Sequence, residues 1–260
     1  MNCRIALCPI LMIFALTCQA FAEPIAVHYP QGTIHGFLTI RSEAGAILGY
    51  GELTQIASGD RVTIHTTLHF RDGSLDDETA IFTQDRVFSF VSDHHIQRGP
   101  FFKNAIDALV ESSGQVSIAT TGKDGKVKQE SSHIDLPVDL SNGILAPLLA
   151  NLPKATTGLT LGMVVPTEKG RLIKLNVTSD RTASFTAVQG ATRTATLYRI
   201  KLDLGGIPGV VAPIIGKQPA DLIVWILEGG APIIVREDGQ LSEGGPVVSI
   251  ELAGTSFPRR

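Results

Sequence analysis

The stretch Arg61-Val62-Thr63-Ile64-His65-Thr66-Thr67-Leu68-His69-Phe70 decides the fold class. Val62, Ile64, Thr66, Leu68 and Phe70 alternate with Arg61, Thr63, His65, Thr67 and His69, giving one mostly apolar face and one polar face. A period of two is the spacing of a half-buried β-strand, because successive side chains leave a strand on opposite sides. Asp72-Gly73 follows as a turn, leading into a second strand near Thr79 to Val91. Upstream, Thr33 to Arg41 and Ala46 to Ala57 form another pair, and Val116 to Thr121 with Lys126 to Ile134 flank Asp124-Gly125 as a hairpin. The second half repeats the style in Leu159 to Pro166, Arg171 to Ser179, Thr182 to Val188 and Thr192 to Leu204. Asp221 to Leu227 is apolar on both faces, as expected of a strand covered on each side. Pro232 to Arg236 and Val247 to Leu252, joined by Glu237-Asp238-Gly239, complete the set. Short apolar runs between turn residues predict a mainly β protein: a curved antiparallel sheet or open half-barrel with two short apolar helices.

Those helices are expected at Ser141-Asn142-Gly143, capping a helix through about Asn151 that carries Ile144, Leu145, Leu148 and Leu149, and at Ile207 to Ile215 with Val210, Val211, Ile214 and Ile215. Both are apolar and short, and they are expected to plug the mouth of the barrel. No fixed-period repeat or low-complexity linker divides the chain, so residues 23–260 are expected to form a single β-rich domain.

Residues 1–22 read as a cleaved signal peptide. Arg4 supplies the positive start, Ile5 to Leu16 the apolar run, and Ala20-Phe21-Ala22 the small-x-small cleavage pattern. A dozen apolar residues fall short of the roughly 20 that span a bilayer. The expected location is therefore the periplasm or the medium, as a soluble bacterial protein. The three cysteines, Cys3, Cys8 and Cys18, all lie in this leader, which excludes disulfides, thiolate metal sites and cysteine nucleophiles from the rest. Lipidation at Cys18 is disfavoured by Ala15 and Thr17 at the positions before it. The formal charge is −3, with both signs scattered and no basic stripe, so nucleic acid is not an expected partner.

Three stretches carry a resemblance. Gly216-Lys217-Gln218-Pro219-Ala220-Asp221 with Trp225-Ile226-Leu227 and Ala231-Pro232, then Ser92 to Pro100, then Pro137 to Gly143, resemble a pattern in uncharacterised exported bacterial proteins of unknown function. More loosely, the strand-rich layout is similar to periplasmic half-barrels of the lipoprotein-localisation type. That likeness implies a curved sheet folded around helices over an apolar cavity. It transfers no activity, since fold alone does not license function.

The densest polar constellation is His94-His95, with Asp93 before and Arg98 after. Imidazole suits a divalent metal and guanidinium an anion. Adjacent strand residues point to opposite faces, however, so both histidines reach one ion only in a bent loop. A polar strand end or loop whose side chains cap backbone groups is the favoured reading, and no metal site is assigned. His65 and His69 share a face but stand about 13 Å apart along the strand. Asp72, Asp76, Asp77 and Glu78 read as a solvated acidic hairpin tip, because they do not follow a calcium-loop spacing. Gly209 to Lys217 lacks the spacing and the Ser or Thr of a phosphate loop. No nucleophile elbow or His-Glu-x-x-His motif occurs, so no catalytic residue and no cofactor is assigned.

The function expected is binding of an apolar or amphiphilic envelope ligand, a lipid or other apolar small molecule. Its contacts are expected from His94, His95, Arg98, Lys217, Gln218 and Trp225, with Lys217 and Gln218 at the cavity rim. Two alternatives stand beside it: a structural or assembly factor that meets an envelope protein, and a metal-dependent hydrolase.

Overall fold

A computed structural model describes residues 23–167, 169–204 and 219–257. The expected signal peptide at 1–22 and the expected plug residues Val210, Val211, Ile214 and Ile215 lie outside them, as do Lys217 and Gln218. The strands are β1 (Ile34–Ser42), β2 (Ile47–Ser58), β3 (Arg61–Phe70), β4 (Leu75–Gln84), β5 (Phe88–Arg98), β6 (Ala105–Glu111) and β7 (Gln115–Thr121). After β8 (Val127–His133) comes the short helix α1 (Leu145–Ala150). Then follow β9 (Leu159–Val165), β10 (Arg171–Thr186), β11 (Thr192–Asp203), β12 (Leu222–Leu227), β13 (Ile234–Gln240) and β14 (Val247–Leu252).

All fourteen strands form one antiparallel sheet in the order β8 to β1, then β14 to β9. The sheet is two meanders joined where β1 pairs β14, with Ile40 opposite Ile250. It is curved and unclosed, with β8 and β9 at its two ends. One interior cluster shows how far it curls. Val62, Ile64 and Phe82 from β3 and β4 pack with Leu161, Leu175, Ile200 and Val224 from β9 to β12, strands far away in sheet order. Bulges at Ile81/Phe82, Ser179/Arg181 and Trp225/Ile226 add local twist. In β2, a Cβ on Gly49 or Gly51 would lie 2.2 Å from the His69 carbonyl oxygen or 2.4 Å from that of Thr67, so only glycine allows this close approach to β3.

Helix α1 lies inside the curl. Ile144, Leu148 and Leu149 are fully buried in the interior cluster, and Leu145 packs on its margin. The β12 run is apolar on both faces for the expected reason. Val224 and Ile226 face the interior, whereas Ile223 and Trp225 join a second cluster with Phe185, Leu197 and Val235.

Several boundaries differ from expectation. The expected strand from Thr79 to Val91 is instead the β4–β5 hairpin, and Ser92 to Arg98 continues β5. Polar residues there face a buried polar site, so apolar alternation fails as a guide. Ser179 and Thr182 belong to one strand, β10, bulged at its middle. Glu237-Asp238-Gly239 is no turn but the body of β13. Ser141 and Asn142 do not cap α1: Ile144 occupies the cap position without a side-chain hydrogen bond.

Candidate functional site: a buried acidic cavity

The gap between β9 and the first meander is crossed by the segment from Leu136 to Gly143. Leu140 bridges Gly162 in parallel, and the Ser141 amide and hydroxyl both donate to the Gly162 carbonyl, at 2.8 and 2.7 Å. Asn142 acts as a one-residue strand neighbour. Its Oδ1 accepts from the Val164 amide and its Nδ2 donates to the Val164 carbonyl, both at 2.8 Å. The same Nδ2 reaches Asp93 Oδ2 at 3.4 Å, tying this strap to β5. Gly143 takes a positive φ of 59°, and a Cβ there would lie 2.4 Å from the Ala80 methyl and 3.0 Å from Asp93 Oδ1.

Behind the strap, a cavity of about 80 Å³ has one polar and one apolar wall. Glu78, Asp93, His95 and Asn142 line the first; Val110, Val116, Ile118 and Met163 are among the residues of the second. The polar wall follows from strand periodicity. Asp76, Glu78, Ala80, Phe82 and Gln84 are one row of β4, and Asp93, His95 and Gln97 are the facing row of β5. The register sets Asp76 beside Gln97, Glu78 beside His95 and Ala80 beside Asp93. His95 Nε2 meets Asp76 Oδ1 at 3.0 Å. Gln97 Nε2 donates to Asp76 Oδ2 and to the Leu241 carbonyl, each at 2.8 Å. Asp93 is only 4% exposed, and its Oδ1 has no hydrogen-bond partner.

Electrostatics follow from three carboxyls, Asp76, Glu78 and Asp93, around the His95 imidazole, with Glu237 beyond Glu78 and Asp76. Burial pushes Asp93 up, reinforced by the charge of Glu78, and it titrates at about 8 despite His95 and Asn142. Burial also raises Glu78, with Asp76 adding to it and His95 opposing. Burial, together with Glu78, Asp238 and Asp76, lifts Glu237 of β13 to about 7. Glu78 and Glu237 keep some accessible surface, but the atoms packed around each carboxyl govern its titration. For His95 burial acts downward. The Asp76 hydrogen bond and the charges of Glu78, Asp76 and Asp93 outweigh it and hold the imidazolium up at about 10. Near neutral pH the site therefore holds an imidazolium at His95, hydrogen-bonded to Asp76, beside a protonated Asp93.

The expected contact residues separate. His95 faces the cavity, whereas His94 points outward to Asp107 at 2.8 Å. Arg98 is exposed at the end of β5. Trp225 lies in the other cluster, where its Nε1 donates to Asp238 Oδ2 at 3.3 Å and its ring meets Phe257 edge-on. Outside the curl, His35–Glu52, His65–Asp77 and His94–Asp107 repeat one diagonal pairing every second strand, at 3.4, 3.0 and 2.8 Å. Among the described residues, no group of three or more His, Cys, Asp or Glu side chains is placed to hold a metal ion. No described helix is long and apolar enough to cross a membrane.

The reading of Asp76 and Glu78 as a solvated tip is corrected: only Asp72 serves the turn, accepting from the Ser74 amide, and Asp76 is buried. The missed signal was period two itself. Asp76 and Glu78 stand at i−4 and i−2 from Ala80, in the row that continues to Phe82, which directs them inward.

No protein-family model matches the chain, and no curated protein matches it. Among solved structures, the fold is similar to a beta-barrel-like protein of a domain of unknown function, DUF1849, from Brucella abortus, with a TM-score of 0.45 and 9% identity over 88% of this chain and 99% of that one.

Proposed function

We propose that this protein is exported to the periplasm and binds an apolar or amphiphilic molecule of the cell envelope within its half-barrel. One observation carries the reading: the curl of the sheet encloses an apolar interior filled by α1, and a small cavity with one polar and one apolar wall lies between β4 to β7 and β9. At about 80 Å³ the cavity is far below the roughly 300–1,000 Å³ of sites that enclose a drug-sized ligand. It takes the head end of such a molecule, and a longer tail enters only as the packing inside the curl opens. Burial of Ile144, Leu148 and Leu149 stabilises the closed form, so the ligand must replace those contacts. The leader-like residues 1–22 support the envelope as its place of work.

Incubation of the purified protein with envelope lipid extract, followed by re-isolation and mass spectrometry, tests this. Stoichiometric retention of an amphiphile is expected; an empty protein refutes the carrier reading. Among the described residues β8 ends the sheet with no further strand beside it, which favours a second role, as an assembly factor that adds a partner's strand. Pull-down from envelope lysate, with and without a proline at Gln129, separates the two.

A further inference from the structure

Resting on the half-barrel reading above, we propose that the cavity beside Asp93 is a site for a small organic ammonium ion, its charged head on Asp93 and its short alkyl tail against the apolar wall of β6, β7 and β9. Three observations converge on a cation. First, Asp93 Oδ1 is buried without a partner, a polar atom that costs free energy until something pairs with it. Second, the groups acting on Asp93 are Glu78 and Asp76 from β4, His95 from β5 and Asn142 from the strap, with Glu237 of β13 on the far side of Glu78 and Asp76. Among the described residues the one cationic side chain in this set, His95, is already engaged by Asp76 at 3.0 Å. A carboxylate or phosphate would meet the acidic majority, whereas an ammonium donates a charge-assisted hydrogen bond to Asp93. Third, Val110, Val116, Ile118 and Met163 offer only apolar contact on the other side. The ligand must therefore be polar at one end only.

Size sets the length. A water-sized group needs roughly 10–15 Å³ in the same measure, so about 80 Å³ holds about five to eight non-hydrogen atoms. A butyl- or hexylammonium ion fits, and a long-chain amine is too large. Proton balance makes the site pH-sensitive. The neutral Asp93 carboxyl gives up its proton to bulk solvent as the ammonium binds, leaving a carboxylate–ammonium pair, so affinity rises as the pH approaches 8.

The test is calorimetric titration of the full protein with n-butylammonium, n-butanol and n-butyrate at pH 6 and pH 8. The wild type is set beside Asp93→Asn and the surface control His94→Gln. Butylammonium is expected to bind at least tenfold tighter than the other two and to release a proton at pH 6. Its affinity is expected to fall tenfold or more in Asp93→Asn and to be unchanged in His94→Gln. Lengthening the chain from ethyl to butyl is expected to gain about fourfold per methylene. Equal or tighter binding of butanol or butyrate overturns the inference and leaves the half-barrel reading standing. Silence from all three probes also overturns it, and the envelope-extract experiment then decides the wider reading: retained ligand keeps it, an empty protein removes both. Tryptophan fluorescence of each variant confirms that it is folded.

Discussion

Replacing Asp93 by Asn tests the buried carboxyl without changing its shape. The folded-state value of about 8 lies above the ordinary 3.8, so the native protein keeps a proton that the unfolded chain has released. Between those limits the unfolded state binds fewer protons, and stability falls as the pH rises. The contribution is fully present below about pH 4 and is lost by about pH 8. Each pH unit is worth about 1.4 kcal/mol. From pH 4 to pH 7 the ionisable carboxyl therefore costs the wild type roughly 4 kcal/mol that the Asn variant does not lose. The assay is urea unfolding from pH 4.5 to 8, followed through Trp225, the single tryptophan, which is buried. The expected outcome is near-equal stability at the acid end and a growing advantage for Asp93→Asn toward pH 8. A difference that stays constant with pH, or that shrinks as the pH rises, refutes a protonated Asp93 in the native state.

Other substitutions separate the inner face from the outer one. His95→Gln removes the cation beside the buried Asp76, leaving it the Gln97 hydrogen bond, and is expected to cost about 3 kcal/mol, whereas His94→Gln on the exposed face costs under about 1 kcal/mol; denaturant midpoints of the pair check this. Leu149→Ala, at a fully buried position of α1, is expected to destabilise by roughly 2–5 kcal/mol and to loosen the plug, seen as faster hydrogen exchange across α1. Gly143→Ala introduces both a positive-φ penalty and a methyl 2.4 Å from Ala80, so a loss of about 1–3 kcal/mol is expected, with displacement of Asn142 visible in the Val164 amide resonance.

The sequence by itself determined the sheet. Val62 to Phe70 alternates so cleanly that its strand falls where periodicity puts it, and β14 does likewise at Val247 to Leu252. The double-sided apolar run of β12 announced cover on both faces, and α1 was legible in Ile144, Leu145, Leu148 and Leu149. These are local patterns, set by which side of one backbone segment avoids water. The site was not local. Asp76, Glu78, Asp93 and Glu237 come from three strands, and in sequence each looks like a turn or a solvated charge. Only the curl of the sheet, with the Asn142 strap laid against β9, encloses them, and burial of like charges then moves their protons. A carboxyl carries no mark of its future dielectric; that is decided by what packs around it from strands far away in the chain.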